Sequence, residues 1–398
     1  MHSFPFLDEL MLMSLAALLV ILLFQRIKLP PVIGLIVTGL LIGPSGLGLV
    51  ENDDTISHAA EIGVVMLLFT IGLEFSLDEL AKLRSVVLIG GPLQIVLSTA
   101  MAASVALVLA SLRGFSLSFE GAVLIGMCTA LSSTAICIKL LKESHQLQSP
   151  HGRAVLGILI FQDIAVVPMM IIATMLVSSE GLQVAEIAYK LGLLIAVIAM
   201  LVVGLKWTLP RLMTFVARET ANEVLILGGV VLCFGVAWIT SAAGLSMALG
   251  AFIAGVAIAG SDEGHKIGEV IEPIRDVFTS LFFLSVGLLV HVSWHDIGIS
   301  ILVASIMVTL NALILIAIFK AIKLDLGTAI IASFMLAQVG EFSFVLASIG
   351  KDYEILSASQ YQYLLVSIII TMIITPYLTK IAPTIARRAS ASAALPTV

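Results

Sequence analysis

Thirteen apolar runs set off by charges, Pro or Gly make up most of the chain, at about 10–25, 30–43, 58–75, 85–111, 121–140, 154–177, 187–205, 222–240, 244–260, 274–290, 297–319, 326–349 and 356–379. A hydrocarbon core about 30 Å thick is crossed by roughly 20 apolar residues in a helix, so a sequence of this kind folds in a bilayer. The composition agrees: 60% of the 398 residues are hydrophobic and 12% charged, against about 45–50% and 25% in soluble domains. The runs consume the length, which excludes a separate soluble catalytic domain. None shows the ten-residue alternation of a closed barrel, and the fold class is therefore all-α, a membrane protein of thirteen helices. Cys128, Cys137 and Cys233 lie inside apolar runs and read as small core residues rather than a disulfide framework or spaced metal site. The first run follows Asp8 and Glu9 without a basic n-region, so it reads as a spanning helix and not a cleavable signal.

Orientation follows from the basic residues. Assigning alternate loops to one side leaves only Arg113, Lys190 and Lys351 opposite, out of 20 Lys and Arg. The N-terminus is expected outside, the C-terminus in the cytosol, and the helix count odd. The Ala- and Ser-rich tail after Lys380 is expected to be disordered.

A faint internal repeat runs through these helices. GLIVTGLLIG from Gly34 matches GAFIAGVAIAG from Gly250, an offset of 216, and LLFTIGL from Leu67 matches FFLSVGL from Phe282, an offset of 215. Each pair is seven helices apart, so the copies have opposite orientation. Inverted repeats with broken helices near the midplane characterise secondary transporters.

Ionisable groups inside the membrane are costly and point to function. Asp163, in LIFQDIAVVP, lies ten residues after Arg153, about 15 Å deep at 1.5 Å per residue. Gln162 precedes it, and Pro168 cannot donate to the carbonyl of Ile164, leaving that oxygen free. Glu341, in AQVGEF, is the second such acid, with Gln338 beside it. The fifth run carries TALSSTA, where the hydroxyls of Thr129, Ser132, Ser133 and Thr134 compete for backbone bonds and signal a break in the helix. Its counterpart, at an offset of 206 between Gly121 and Gly327, is the run interrupted by Gly340 and Glu341. Two broken helices crossing beside Asp163 would leave carbonyls and amides able to hold a cation. Glu74, in GLEFSLDEL, sits at a cytosolic helix end, where an interfacial carboxylate serves structure or function alike.

Other chemistries lack their motifs. The chain has no His-Glu-x-x-His, no Gly-x-x-x-x-Gly-Lys and no potassium-channel filter sequence. Gly43 to Gly46 spell Gly-x-Ser-Gly, but no histidine is placed to activate the serine. A sodium-coupled symporter of an organic anion and a cation channel remain alternatives; the first would need a larger cavity and a basic side chain at the midplane.

Together, IGLEFSLDEL, LSSTAICIKLL, LIFQDIAVVPMM, LGAFIAGVAIAGS, LFFLSVGL and AQVGEFSFVLASIG resemble the bacterial cation:proton antiporter-2 family, closest to its glutathione-gated potassium efflux type. The resemblance spans about Leu10 to Pro383. It implies a sodium/proton antiporter-like fold, an ion-translocation domain and a dimerisation domain, and elevator-like alternating access in a bacterial inner membrane. It also implies a homodimer, no resident cofactor, and a transported potassium or sodium ion and proton as the only ligands. Asp163 maps onto the aspartate that binds ion and proton in turn. Gln162 maps onto a position that is acidic in electrogenic relatives, which implies one cation for one proton. Arg275 resembles a basic family position, although Glu272 and Asp276 beside it make an interfacial salt bridge equally natural. Residues 1–384 are expected to form the antiporter domain and 385–398 a short cytosolic tail. The efflux type continues into a nucleotide-binding domain absent from this chain, so that domain is expected to be a separate regulatory subunit, removed, or never present. No nucleic-acid partner is expected.

Overall fold

The computed structural model describes residues 5–26, 31–50, 54–73, 85–176, 192, 222–242, 247–259, 261–290 and 297–393. All regular elements among them are helical: α1 Pro5–Arg26, α2 Pro31–Ile42, α3 Asp54–Leu73, α4 Gly91–Arg113, α5 Phe119–Ala130, α6 Thr134–Glu143, α7 Pro150–Met175, α8 Asn222–Ala242, α9 Met247–Ile258, α10 Asp262–Leu289, α11 Ile297–Ala321, α12 Leu326–Leu336, α13 Phe342–Asp352 and α14 Ala358–Ala393. The pairs α5/α6 and α12/α13 each correspond to one expected crossing interrupted in the middle. Twelve of the thirteen runs thus appear as helices; the run at 187–205 lies, apart from residue 192, outside the described residues.

Two compact units emerge from the packing. The first comprises Met1–Leu22, Gly34–Asp78 and Glu180–Leu289. Its core gathers Val65, Met66 and Phe69 of α3 with Cys233, Val236 and Ala237 of α8, Ala251 and Ala254 of α9, and Ile267 and Ile271 of α10. Close helix approach depends on two glycine pairs. A Cβ on Gly39 would meet the carbonyl of Leu284 and come within 2.9 Å of the Cα of Gly287; a Cβ on Gly72 would meet the carbonyl of Phe252 and come within 3.0 Å of the Cα of Gly255. Small residues at membrane helix interfaces let backbones touch where hydrophobic driving force is missing.

The second unit comprises Leu23–Ile33, Glu79–Ser179 and Val290–Val398. Among the described residues, five helical stretches are long and apolar enough to cross a membrane, and all lie in this unit: Val86–Arg113, Phe119–Glu143, Pro150–Met175, Ile297–Ala321 and Ala358–Ala389. A π-helical turn, Val86–Gly90, leads into α4. Helix starts are set by side-chain acceptors: Ser118 takes the N–H of Gly121, Ser149 that of Gly152, and Asp325 that of Thr328. The bonds from Thr328 hold the Asp325 carboxyl, at the surface, below its ordinary range. The core packs Val155, Ile158 and Leu159 of α7 against Leu315 and Phe319 of α11 and Ala329, Ala332 and Leu336 of α12.

One expectation is corrected. The tail after Lys380 is helical through Ala393, as the continuation of α14. Alanine has the highest helix propensity of any residue, and Pro383 lies within a helix already propagating, so an Ala-rich tail extends it where composition alone suggests disorder.

A crossing of two broken helices as the candidate ion site

Within the second unit, α5 ends at Ala130 and the backbone is extended at Leu131 and Ser133 before α6 begins at Thr134. The other break separates Leu336 from Phe342. The interruptions touch. Gly340 N–H donates to the carbonyl of Leu131 at 2.8 Å, and a Cβ on Gly340 would stand 2.5 Å from the carbonyl carbon of Ser132. Ser132 Oγ donates to the carbonyl of Leu336 at 2.7 Å, and Ser343 Oγ to that of Cys128 at 2.7 Å. Gln338 Nε2 donates to the carbonyl of Ser133 at 3.3 Å, and Cys137 Sγ to that of Met335 at 3.3 Å. Hydroxyl, amide and thiol thus replace the intrahelical bonds that each break forfeits.

Amide side chains satisfy the remaining groups. Gln162, on α7, accepts the N–H of Ser132 at 2.8 Å, and its Nε2 donates to the carbonyl of Ala130 at 3.0 Å and to Gln94 Oε1 at 2.9 Å. Gln94, on α4, donates to the same Ala130 carbonyl at 2.8 Å. Asn311, on α11, donates to the carbonyl of Thr129 at 2.6 Å and to that of Ala337 at 3.4 Å, at the C-terminal ends of both leading half-helices. Thr371, on α14, accepts the N–H of Val339 at 3.0 Å. The negative ends of two half-helix dipoles are met here by neutral donors.

Asp163 follows Gln162 on α7 and is half-buried. Thr134, in the first turn of α6, donates through Oγ1 to its carboxylate, at 3.1 Å to one oxygen and 3.3 Å to the other. Glu341 is 7% exposed. Its carboxyl lies beside the side chain of Ser133 and the backbone of Ala135, at the positive N-terminal end of α6. Three buried oxygens at the crossing have no hydrogen-bond partner among the described residues: Glu341 Oε2, Gln338 Oε1 and Asn311 Oδ1. Such oxygens can take a proton-bearing or cationic ligand, and they are costly to leave empty.

Of the residues expected from the sequence, Asp163, Gln162, Ser132, Ser133, Thr134, Gln338 and Glu341 meet at this crossing. Thr129 takes part through its carbonyl, while its hydroxyl bonds back to Ile125 at 2.7 Å. Arg275 belongs to the first unit and pairs with Glu272 at 3.1 Å and Asp276 at 2.7 Å, the two acids beside it in the sequence. Glu74 lies outside the described residues. Gln94, Asn311 and Thr371 are not singled out by sequence. The first two carry a readable signal, an amide in the middle of an apolar run, whereas a single threonine in a membrane helix carries almost none.

Residues 13–381 match the family described as sodium/hydrogen exchanger, transmembrane. Among curated proteins, K(+) efflux antiporter 4 of Arabidopsis thaliana is 34% identical over 363 residues, covering 89% of this chain and 60% of that protein. The iron transporter MagA of Paramagnetospirillum magneticum is 33% identical over 379 residues, covering 94% of this chain and 85% of that protein. The chain therefore spans about three fifths of the plant relative. Among solved structures, the sodium proton antiporter MjNhaP1 of Methanocaldococcus jannaschii superposes with a TM-score of 0.67 at 16% identity, over 98% of this chain and 97% of that one. That likeness is one of fold.

Proposed function

The chain belongs to the transmembrane sodium/hydrogen exchanger family, and from that premise we propose that it expels potassium in exchange for protons, with Asp163 carrying each in turn. It is a multi-pass membrane transporter and not an enzyme. The observation that carries the proposal is the carboxylate of Asp163, half-buried beside the meeting point of two broken helices and bonded by the hydroxyl of Thr134. One carboxylate can hold a proton or a cation but not both, so the two compete for one group. Potassium is favoured over sodium by the likeness to K(+) efflux antiporters. Since Gln162 is uncharged, one cation for one proton is the natural stoichiometry. Glu341, Gln338 and the hydroxyls of Ser132 and Ser133 are assigned to organising the crossing around the ion.

Inverted repeats are part of the same reading, and contact exchange supports them. Gly39 corresponds to Gly255 and Gly72 to Gly287 at the two offsets of the repeat; the contact of Gly39 with Gly287 then becomes that of Gly72 with Gly255. Likewise Cys128 corresponds to Met335 and Cys137 to Ser343, at offsets of 207 and 206, and the contacts of Cys128 with Ser343 and of Cys137 with Met335 change places. A two-fold axis in the membrane plane produces such swaps. Alternating access by an elevator-like motion, assembly as a homodimer in a bacterial inner membrane, an external N-terminus and regulation by a cytosolic domain or subunit complete the proposal.

The test is the full chain in liposomes loaded with a pH-sensitive dye, to which potassium, sodium, lithium, rubidium or ferrous iron is added. Potassium should move protons at the lowest concentration. A response to sodium or iron alone would overturn the assignment of the cation, and none to any would overturn antiport. Asp163→Asn, nearly isosteric and unable to ionise, should abolish exchange without unfolding the protein, and Asp163→Glu should retain some with altered affinity. Full exchange by Asp163→Asn would remove Asp163 from the mechanism.

A further inference from the structure

The second unit also encloses a crevice of about 250 Å³, walled by α4, α5, α11 and the start of α14. Its α4 wall presents Ala102, Ala106 and Ala110, one above another at four-residue spacing, so three methyl groups line a trough that longer side chains would fill. The trough follows α4 from Ala102 to Arg113 and α11 from Ile299 to Leu310, a rise of about 16 Å along each at 1.5 Å per residue. That is about half of a 30 Å hydrocarbon core, the depth of one leaflet. Its floor is Thr129, whose carbonyl is gripped by Asn311.

Its mouth is chemically different. Arg113 closes α4 there, exposed and without an ion pair among the described residues. Ser116, Ser357, Ser359 and Gln360 stand around it, and Gln360 Nε2 ties the two loops together by donating to the carbonyl of Ser116 at 2.7 Å. An exposed guanidinium over an apolar trough one leaflet deep matches one ligand chemistry: a phosphodiester joined to an acyl chain. Arginine binds phosphate through paired N–H donors, and the hydroxyls supply further donors.

We propose that this crevice is a binding site for an anionic phospholipid, its phosphate on Arg113 and one acyl chain lying along Ala110, Ala106 and Ala102 toward Thr129. The lipid then packs behind the α5 break, toward the residue whose carbonyl Asn311 holds. The site depends on the membrane-spanning reading and not on which ion is transported.

The test is native mass spectrometry of the delipidated full chain with added phosphatidylglycerol or phosphatidylcholine. The wild type should retain one phosphatidylglycerol in preference to phosphatidylcholine. Arg113→Gln should weaken that retention roughly tenfold, the loss of one charge-assisted hydrogen bond. Ala106→Phe should abolish retention by filling the trough. Phosphatidylglycerol bearing a photoreactive acyl chain should label α4 and α11 in the wild type and spare them in Ala106→Phe. Equal retention of both lipids by the wild type, retention insensitive to Arg113→Gln, or labelling spread evenly over the lipid-facing helices would each overturn the proposal. If Ala106→Phe fails to fold, the charge variant and the wild-type label still decide it.

Discussion

The side-chain oxygen of Gln162 accepts the backbone N–H of Ser132 at 2.8 Å, so the residue preceding Asp163 on α7 is bonded directly to the break between α5 and α6. Gln162 is 1% exposed, and its bonds form where water is scarce. Gln162→Leu leaves the Ser132 N–H and Gln94 Oε1 without partners, each at about 1–3 kcal/mol. A lowered thermal midpoint in detergent together with loss of exchange is expected. An unchanged midpoint would show that the break holds without this bond.

Asn311 offers a sharper comparison. Asn311→Ala removes a donor from the carbonyls of Thr129 and Ala337 and should destabilise the protein by about 1–3 kcal/mol. Asn311→Asp is closer in shape, yet it turns an acceptor toward two acceptors, so it should be the worse of the two. Thermal midpoints of both variants in detergent decide the order. Asp better tolerated than Ala would mean that shape, not donation, is what the crossing requires.

Glu341→Gln keeps an acceptor for the first turn of α6 and removes the possibility of charge there. Cation affinity should fall, or the pH profile of exchange move, while the protein stays folded. Liposome exchange measured from acid to alkaline pH reads this directly. A profile superimposable on the wild type would leave Glu341 a purely structural cap.

Topology is tested by single cysteines in a background where Cys128, Cys137 and Cys233 are replaced. Asp352→Cys, at the end of α13, should react with an impermeant thiol reagent from outside intact cells, and Lys142→Cys, near the end of α6, should not. Labelling of position 142 from outside would reverse the assigned orientation.

Much of the crossing is legible in the amino-acid sequence. Asp163 and Glu341 stand out because charge in an apolar run is expensive, and the run of hydroxyls from Thr129 to Thr134 because they compete with the helix for backbone bonds. Gln94 and Asn311 escape notice for the same physical reason in reverse. An uncharged amide costs less to bury, so it draws less attention, and its role depends on a carbonyl 36 residues away for Gln94 and 182 for Asn311. Pairings of that range belong to the tertiary fold. The tail is misjudged when its composition is weighed without the helix feeding into it.

The hydroxyl of Thr134 faces both oxygens of Asp163 at nearly equal distance, and a hydroxyl is a donor and an acceptor in one atom. Toward an ionised carboxylate it gives its hydrogen; toward a protonated one it turns about a single bond and receives. Glutamine or lysine in its place would have to move, or to swap ends, to do the same. If Asp163 carries proton and cation in turn, as proposed, Thr134 can stay in contact through both states, an impartial partner that needs only a rotation about one bond to follow the change.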